Sequence, residues 1–230
     1  MAFGPIMQFR VGELDIELAP LEREAMQAFT DQAHGGGMQR HSVTRYLARS
    51  FAPTSEDEQE WYEKARKDKT TLLWGIWLIE GETRTLIGNS SLNGIGAGGH
   101  TPLMQRATSG SMIFRPEYWG KGIASGAHKA RTWYAFTQLG IHRLDSAVLQ
   151  SNKGSRKALE RSGYTYTHTE RNDKFSDGKL HHADYFECLN PLDFFWDQWW
   201  HGDAPTKQSL EARARTKDAL EWATTHVTLP

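Results

Sequence analysis

The chain of 230 residues has a single cysteine and almost no net charge. One thiol excludes a disulfide within the chain, and a lone Cys188 is typical of a protein from a reducing compartment. With 27 basic and 28 acidic side chains the formal charge is −1, which gives no reason to expect nucleic acid or an anionic membrane as the main partner. We therefore expect a cytoplasmic protein that binds neither.

Long apolar runs are also lacking. The longest run, residues 72–79, is far shorter than the ~20 residues that a membrane-spanning helix needs, and it predicts a buried strand. Residues 1–12 lack a basic start and an apolar core, so we expect no signal peptide. What the chain does contain is nine tryptophans and ten phenylalanines, which provide large side chains for the core of one sizeable domain.

Residues 115–124, Arg-Pro-Glu-Tyr-Trp-Gly-Lys-Gly-Ile-Ala, are the most informative segment of the chain. Residues 108–114 before it are typical of a strand, and apolar residues after it recur at helical spacing. Gly120 and Gly122 thus precede the first turn of a helix, where N–H groups lack partners within the helix and the helix dipole is positive. Glycine lets an anion approach the main chain, so the segment predicts a cradle for a pyrophosphate.

A second segment supports this interpretation. Residues 142–150 alternate as a strand does, and Asn152 and Ser155 then begin a short helix that ends at Gly163. A Gly-x-Gly motif before a helix also occurs as an ordinary strand-to-helix turn. The second segment, at a fixed distance from the first, favours the cradle over that turn.

Together the two segments resemble the GNAT superfamily of acyl-CoA-dependent N-acetyltransferases. The resemblance rests on the order strand, Pro-Glu-Tyr-Trp-Gly-Lys-Gly-Ile-Ala, helix, strand, and then Asn-x-x-Ser-Arg-x-x-Leu-Glu-x-x-Gly-Tyr. It is strongest over residues 108–189. Within the superfamily it points to the branch that acetylates α-amines of ribosomal proteins and to relatives that act on other amines, and it implies acetyl-CoA as the co-substrate.

The resemblance also implies roles for individual residues. In the family the glycine loop holds the coenzyme A pyrophosphate, the strand before it lies along the pantetheine arm, and the Asn and Ser that begin the next helix contact that arm near the thiol. The positions that match the pyrophosphate-binding loop are Trp119, Gly120, Lys121, Gly122, Ile123 and Ala124. The positions that match the arm-binding residues are Met112, Ile113 and Phe114, with Asn152 and Ser155 near the sulfur.

The rest of the sequence predicts the element order βααβββαβαββ. Further strands are expected over residues 14–18, 71–80, 84–92 and 183–189. Helices are expected over residues 22–32 and 56–67, the second with a capping box of Ser55 and Glu58, and a glycine-rich loop over residues 93–105. Residues 43–51 are a candidate for another short helix, which this order does not count. The fold class is therefore α+β, and the resemblance implies a mixed, mostly antiparallel, GNAT-like sheet, flanked by helices, whose two central strands splay apart.

The last forty residues depart from the family pattern. Five aromatic residues fall within residues 191–200, and residues 208–223 have the pattern of a charged amphipathic helix. Five aromatics exposed together would form an unusually large apolar patch, so something must cover them. We predict an acetyltransferase domain over residues 1–190 and an extension over residues 191–230, which packs on that domain, on a second copy in a homodimer, or beside the acceptor site.

The residues for proton transfer are less well marked. Many relatives place a tyrosine acid one position before the Glu of the last helix, and here that position is Leu159. We therefore expect Ser155 to protonate or hydrogen-bond the leaving thiolate, although it is also a plausible first-turn serine. Glu170 and Asp173 are candidates to face the acceptor amine. A backbone N–H beside Met112 or Ile113 is the expected oxyanion donor.

The expected reaction is direct transfer of an acetyl group from acetyl-CoA to a primary amine in a ternary complex, without a metal. The acceptor is expected to be the α-amine of a protein or peptide, or a small-molecule amine. The lack of an evident base favours amines that lose their proton easily. Two alternatives stay open: an acyltransferase for another acyl-CoA or an antibiotic amine, and a non-catalytic acyl-CoA sensor or assembly module.

Overall fold

A computed structural model describes residues 3–30, 37–47, 52–96, 105–200 and 202–230, and an eight-stranded sheet runs through them. The strands are β1 Met7–Val11, β2 Leu14–Ala19, β3 Leu72–Glu80, β4 Thr83–Asn93, β5 Arg106–Ile113, β6 Arg143–Leu149, β7 Thr165–Ser176 and β8 Lys179–Leu189. The α-helices are α1 His41–Thr44, α2 Ser55–Ala65, α3 Ile123–Trp133, α4 Lys153–Arg161, α5 Asp193–Trp196 and α6 Lys207–His226. The predicted mixed, mostly antiparallel sheet flanked by helices is confirmed.

The spatial order of the strands is β1-β2-β3-β4-β5-β6-β8-β7, and β5 and β6 lie near its middle. These two strands run parallel and pair only through residues 106–108 and 143–145. Beyond that point β5 continues to Ile113 and β6 to Leu149 without pairing with each other, while each stays paired with its outer neighbour. The strands therefore splay apart, as the resemblance implied, and a cleft opens in the middle of the sheet.

Both faces of the sheet carry a hydrophobic core. On one face, Phe9 and Trp74 pack with Ala127 of α3 and Leu220 of α6. On the other face, residues 24–29, which form a 3-10 helix, and α2 pack over a second cluster that includes Trp77 and Phe114. Because β3 is covered on both faces, its residues are apolar in succession rather than alternately, which explains the uninterrupted run 72–79.

Strand β1 was missed by the sequence interpretation, although its pattern is readable. Met7 and Phe9 are buried while Gln8 and Arg10 are exposed, which is the period of two that a strand shows. Gly12, at a φ of 59°, then turns the chain into β2. Ends of predicted elements at residues 31–32 and 48–51, and most of the predicted loop 93–105, lie outside the described residues.

The predicted cap of α2 was wrong by one residue. Thr54, not Ser55, is the N-cap: its Oγ1 accepts from the Asp57 N–H at 3.2 Å, and the Asp57 carboxylate accepts from the Thr54 N–H at 2.8 Å. Ser55 instead has its hydroxyl 3.0 Å from that of Thr30, which ties α2 to the preceding 3-10 helix. Both pairs of residues have the three-residue spacing of a capping box, so local sequence does not distinguish them.

The C-terminal segment packs back on the domain. Helix α6 lies against α3, and Thr228 pairs with Gln8 of β1 in an antiparallel bridge. Thr216 of α6 is 1% exposed and approaches Gly163 so closely that a Cβ at residue 163 would lie 2.1 Å from the Thr216 Oγ1. Trp196 is also buried, whereas Phe194 remains 73% exposed. Among the described residues, no helix is long and apolar enough to cross a membrane.

We predict that Gly163→Ala destabilises the protein more than Gly12→Ala does. Both glycines have positive φ, so each substitution costs roughly 1–2 kcal/mol of backbone strain. An added Cβ at residue 12 meets nothing within 4 Å, whereas at residue 163 it collides with α6 and adds ~1–3 kcal/mol of overpacking. Urea unfolding of both variants measures the difference; equal losses of stability would contradict the packing of α6 against Gly163.

Candidate active site

The loop between β5 and α3 leaves a row of main-chain amides without partners. Gly120 and Gly122 have φ angles of 74° and 86°, values that other L-residues adopt only with strain, and Gly122 is the N-cap of α3. The N–H groups of residues 120–125 donate to no acceptor in the part of the chain that the structure describes. These amides therefore form a concave set of donors at the positive end of a helix.

Trp119 braces this loop rather than adding an amide to it. Its own N–H donates to the Pro116 carbonyl at 3.0 Å, and its indole Nε1 donates to the Ile113 carbonyl at 2.8 Å. The second bond ties the loop to the end of β5. Lys121 is exposed, with its Nζ 5.2 Å from the centre of the Tyr118 ring.

The loop fits a pyrophosphate in shape as well as in charge. A Cβ built on Gly120 meets no atom within 4 Å, so there is open space directly in front of that residue. Gly120 itself adds no side chain that would cover the unpartnered amides. Glycine at residue 120 keeps the main chain accessible to phosphate oxygens.

A cavity of about 870 Å³ runs from this loop into the cleft between β5 and β6. It brings together most of the residues that the sequence singled out. Those that line it are Met112, Ile113, Trp119, Gly120, Gly122, Ile123, Ala124, Asn152, Ser155 and Asp173. Phe114, Lys121 and Glu170, all within the described residues, lie outside the lining. Phe114 is fully buried in the second hydrophobic cluster, with its ring centre 4.6 Å from that of Phe29.

Two amides of β5 face the cleft. The Phe114 N–H donates to the Ile87 carbonyl at 3.0 Å, which makes these residues a hydrogen-bonded pair of the β4–β5 ladder. Such pairs alternate along an antiparallel ladder, so the main-chain groups of residues 109, 111 and 113 point away from β4 and towards β6. Because β6 has separated there, the N–H groups of Ser111 and Ile113 are directed at the cavity.

Asn152 and Ser155 form the opposite wall at the start of α4. The Asn152 side chain accepts from the Ser155 N–H at 3.1 Å, the usual N-cap bond, and this fixes the position of Ser155. Ser155 is half-buried and lines the cavity. Its hydroxyl has no bonding partner within the described residues, so it is available to a ligand.

The far wall of the cavity comes from the β7–β8 hairpin and the segment around α1. Asp173 and Tyr185 line it on one side, and Val43 and Tyr46 on the other. A hydrogen bond to Glu170 raises the pKa of Tyr185 to about 12, with burial and Asp173 adding to the effect. Tyr185 therefore stays protonated at neutral pH and cannot serve as a base.

Helix α1 is joined to the tip of that hairpin. The Asp177 carboxylate lies 2.8 Å from His41 Nε2 and 3.0 Å from an Arg45 guanidinium nitrogen. These contacts connect the two sides of the cavity mouth. Among the described residues, no group of three His, Cys, Asp or Glu side chains lies close enough together to hold a metal.

The residues that the sequence interpretation missed include two on α3. His128 of α3 lines the cavity from below, and Arg131, one turn further along α3, is completely buried beneath it. The sequence does carry a signal: these two polar residues interrupt the small and apolar face of α3 that includes Ala127 and Ala130. That signal alone does not say which strand the helix faces.

Comparisons with known proteins agree with this geometry. A model of the acetyltransferase (GNAT) domain matches residues 15–165, about two thirds of the chain. The N-acetyltransferase candidate YjcK of Bacillus subtilis (strain 168) is 32% identical over 74 residues, which cover 32% of this chain and 41% of YjcK. The alignment thus spans about two fifths of the length of that curated relative.

Solved structures share the fold. A spermidine N-acetyltransferase from Vibrio cholerae, in complex with CoA and spermine, superposes with a TM-score of 0.65 at 19% identity, covering 76% of this chain and 95% of that one. A Vibrio cholerae protein described as a candidate ribosomal-protein-serine acetyltransferase superposes with a TM-score of 0.59 at 16% identity, covering 79% and 97%. The chain therefore belongs to the acetyltransferase (GNAT) domain family, whose members are acyltransferases that use acetyl-CoA.

Proposed function

We propose that the protein transfers an acetyl group directly from acetyl-CoA to a primary amine, with both substrates bound at once. The observation that carries this proposal is the single cavity that joins the glycine loop to the opened cleft between β5 and β6. One end of it presents unpartnered amides to an anion, and the other end extends to the β7–β8 hairpin and the segment around α1. A donor and an acceptor can therefore meet inside it.

In this proposal the amides of residues 120–124 bind the pyrophosphate of acetyl-CoA. Met112 and Ile113 lie along the pantetheine arm on one side, and Asn152 and Ser155 lie on the other, near the sulfur. Bound acetyl-CoA supplies an activated thioester carbonyl. The N–H groups of Ser111 and Ile113, which face the cleft, are the donors available to an oxyanion there.

The proton has to leave the amine before or during attack. A lysine side chain, with a reference pKa of ~10.4, requires roughly 4–5 kcal/mol to be neutral at pH 7, whereas an α-amine near ~7.7–8 requires only about 1–1.4 kcal/mol. Asp173 is the one member of the predicted carboxylate pair that lines the cavity, so we assign it to the acceptor side. We assign Ser155, which lines the cavity, to donate a hydrogen bond to the departing thiolate.

A covalent acetyl-enzyme is not required. Burial raises the pKa of Cys188, the only cysteine of the chain, to about 12. Its thiol is therefore protonated at neutral pH and is a poor nucleophile. Cys188 is 1% exposed, on the face of the sheet that α6 covers. Direct transfer is consistent with that position.

The acceptor class is proposed from chemistry and from the relatives. A carboxylate in the cavity favours an amine that arrives as a cation. The spermidine enzyme from Vibrio cholerae makes a polyamine one candidate, and the ribosomal-protein-serine acetyltransferase candidate makes a protein α-amine another. We place the chain among acetyltransferases of easily deprotonated amines, with the ribosomal-protein branch as the finer assignment that its loop sequence favours.

We expect acetyl-CoA to release free thiol in the presence of at least one primary amine. A screen of peptide N-termini, polyamines and aminoglycosides with a thiol reagent measures this, and mass spectrometry of the acceptor should show a gain of one acetyl group. Release with an α-amine but not with polyamines would select the ribosomal-protein assignment. Tight binding of acetyl-CoA with no turnover on any amine would contradict the catalytic proposal and support an acyl-CoA sensor.

We expect Gly120→Glu to lose acetyl-CoA binding while Gly120→Ala keeps most of it. Both variants carry the same strain at φ 74°, and the Ala methyl group enters open space, so they differ in what Glu adds beyond the Cβ, a methylene group and a carboxylate. That carboxylate would stand against the pyrophosphate. Isothermal calorimetry should show at least a 100-fold weaker affinity for Gly120→Glu, with circular dichroism as the check on folding; equal affinities for the two variants would refute the placement of the pyrophosphate.

We expect Ser155→Ala to lower kcat about 10- to 100-fold and to change acetyl-CoA affinity less than threefold. The substitution removes the hydroxyl but leaves the N–H that Asn152 accepts from, so α4 keeps its cap. Asn152→Ala is the matched variant: it removes the cap and should affect stability as well as turnover. Unchanged kinetics in Ser155→Ala would clear that residue of a role in proton transfer.

A further inference from the structure

The floor of the cavity is polar at the point where β5 and β6 separate. Ser109, Ser146 and His128 line it, and all three are almost entirely buried. The Ser146 hydroxyl donates to the Ser109 carbonyl at 3.2 Å, and the Tyr164 hydroxyl donates to Ser109 Oγ at 3.0 Å. The methyl group of a bound acetyl donor could form no hydrogen bond with these groups.

A buried cation lies directly under this floor. The guanidinium of Arg131 is 0% exposed and donates to Ser90 Oγ at 2.8 Å, to the Gly110 carbonyl at 2.5 Å and to His128 Nδ1 at 2.5 Å. No carboxylate in the described part of the chain forms a salt bridge with it, and its Nε has no partner there. Burial lowers the pKa of Arg131; Tyr164 and Cys188 act in the opposite direction, but burial raises the pKa of each and keeps them neutral. A buried charge without a counter-ion is costly, and an anionic ligand nearby would offset that cost.

His128 connects that charge to the cavity. Arginine can only donate, so His128 Nδ1 must accept, and the single proton of the neutral ring is therefore on Nε2. Burial, with the charge of Arg131 adding, keeps the pKa of His128 well below its usual value, so the ring is neutral at physiological pH. Nε2–H makes no hydrogen bond within the described residues. The ring thus presents a fixed donor to the cavity.

The acyl end of a bound donor would lie over this floor. From Ile113, beside the pyrophosphate loop, back to Ser109 is four residues of strand, about 13 Å at ~3.3 Å per residue. The arm of an acyl-CoA that follows β5 from the loop runs along this stretch towards the point where the strands diverge. That is the position of Ser109, Ser146 and His128.

We propose that the protein also uses acyl-CoA donors whose acyl group ends in a carboxylate, the half-thioesters of dicarboxylic acids, and that His128 is the residue that selects them. The inference rests on the proposed binding of coenzyme A at residues 120–124. The distal carboxylate accepts from His128 Nε2–H and lies close to the charge of Arg131, which holds His128 in the donating tautomer. Arg131 acts through His128 and is a positioning residue.

The same bonds form and break in this transfer as in the transfer of an acetyl group. The amine nitrogen forms a bond to the thioester carbonyl carbon, the carbon–sulfur bond breaks, and the proton lost by the amine balances the thiolate that leaves as coenzyme A. The distal carboxylate is unchanged. The product is an amide with a free carboxylate, so the modified amine changes from a cation to an anion.

The test compares donors of equal shape and different charge on the wild-type protein. Calorimetry measures affinity for malonyl-CoA against 3-methylbutanoyl-CoA, and for succinyl-CoA against 4-methylpentanoyl-CoA; in each pair two methyl groups replace the carboxylate oxygens. We expect the carboxylate to bind at least 10-fold more tightly in one pair or both. In ¹⁵N spectra of the histidine rings, the His128 Nε2 resonance should shift with the carboxylate donor and not with its neutral counterpart.

Two variants test whether His128 causes the preference for carboxylate donors. His128→Leu should bring the ratio of affinities within each pair to about one, while affinity for coenzyme A itself, which has no acyl group, stays within twofold. His128→Gln, whose amide keeps a donor near the Nε2 position, should retain part of the preference. A ratio below twofold in both pairs for the wild type would overturn the inference while leaving acetyl transfer intact. Failure to bind coenzyme A at all would instead refute the proposed function.

Discussion

The structure depends on a sheet that loses its ladder in the middle. β5 and β6 pair through three residues each and then part, although buried main-chain groups that lack partners are costly. Side chains satisfy two of the carbonyls that β5 turns towards the gap: Ser146 bonds the Ser109 carbonyl, and the Trp119 indole bonds the Ile113 carbonyl. The amides of Ser111 and Ile113 keep their donating capacity. Hydrogen bonds from these side chains therefore replace the missing bonds between the strands and keep the cleft open. The main-chain N–H groups that remain free can donate to a ligand.

The same separation explains the buried polar cluster on α3. Helix α3 packs against β4 and β5 beside the gap, and Arg131 reaches both Ser90 and the Gly110 carbonyl. An apolar helix face would leave the gap with an apolar floor. Arg131 and His128 instead give it a donor and a nearby positive charge, at a cost in desolvation that packing alone does not require.

Local features of the site could be read from the sequence, and long-range ones could not. Gly120 and Gly122 were identifiable because a strand, two glycines and a helical pattern follow each other within a short stretch. The resemblance puts Phe114 along the pantetheine arm with Met112 and Ile113, yet its side chain is fully buried in the second cluster and its N–H donates to the Ile87 carbonyl. His128 and Arg131 went unrecognised because their environment depends on which strand α3 crosses. The sequence predicted Ser55 as the cap and the structure has Thr54, because two capping patterns overlap with an offset of one residue.

The most direct test of this account is a crystal structure of the protein with bound coenzyme A. We expect the pyrophosphate oxygens to lie within hydrogen-bond distance of the N–H groups between residues 120 and 124, with the pantetheine arm between β5 and the start of α4. A ligand found elsewhere, with those amides bonded to protein acceptors, would contradict the central claim that the splayed sheet and the glycine loop form one binding site.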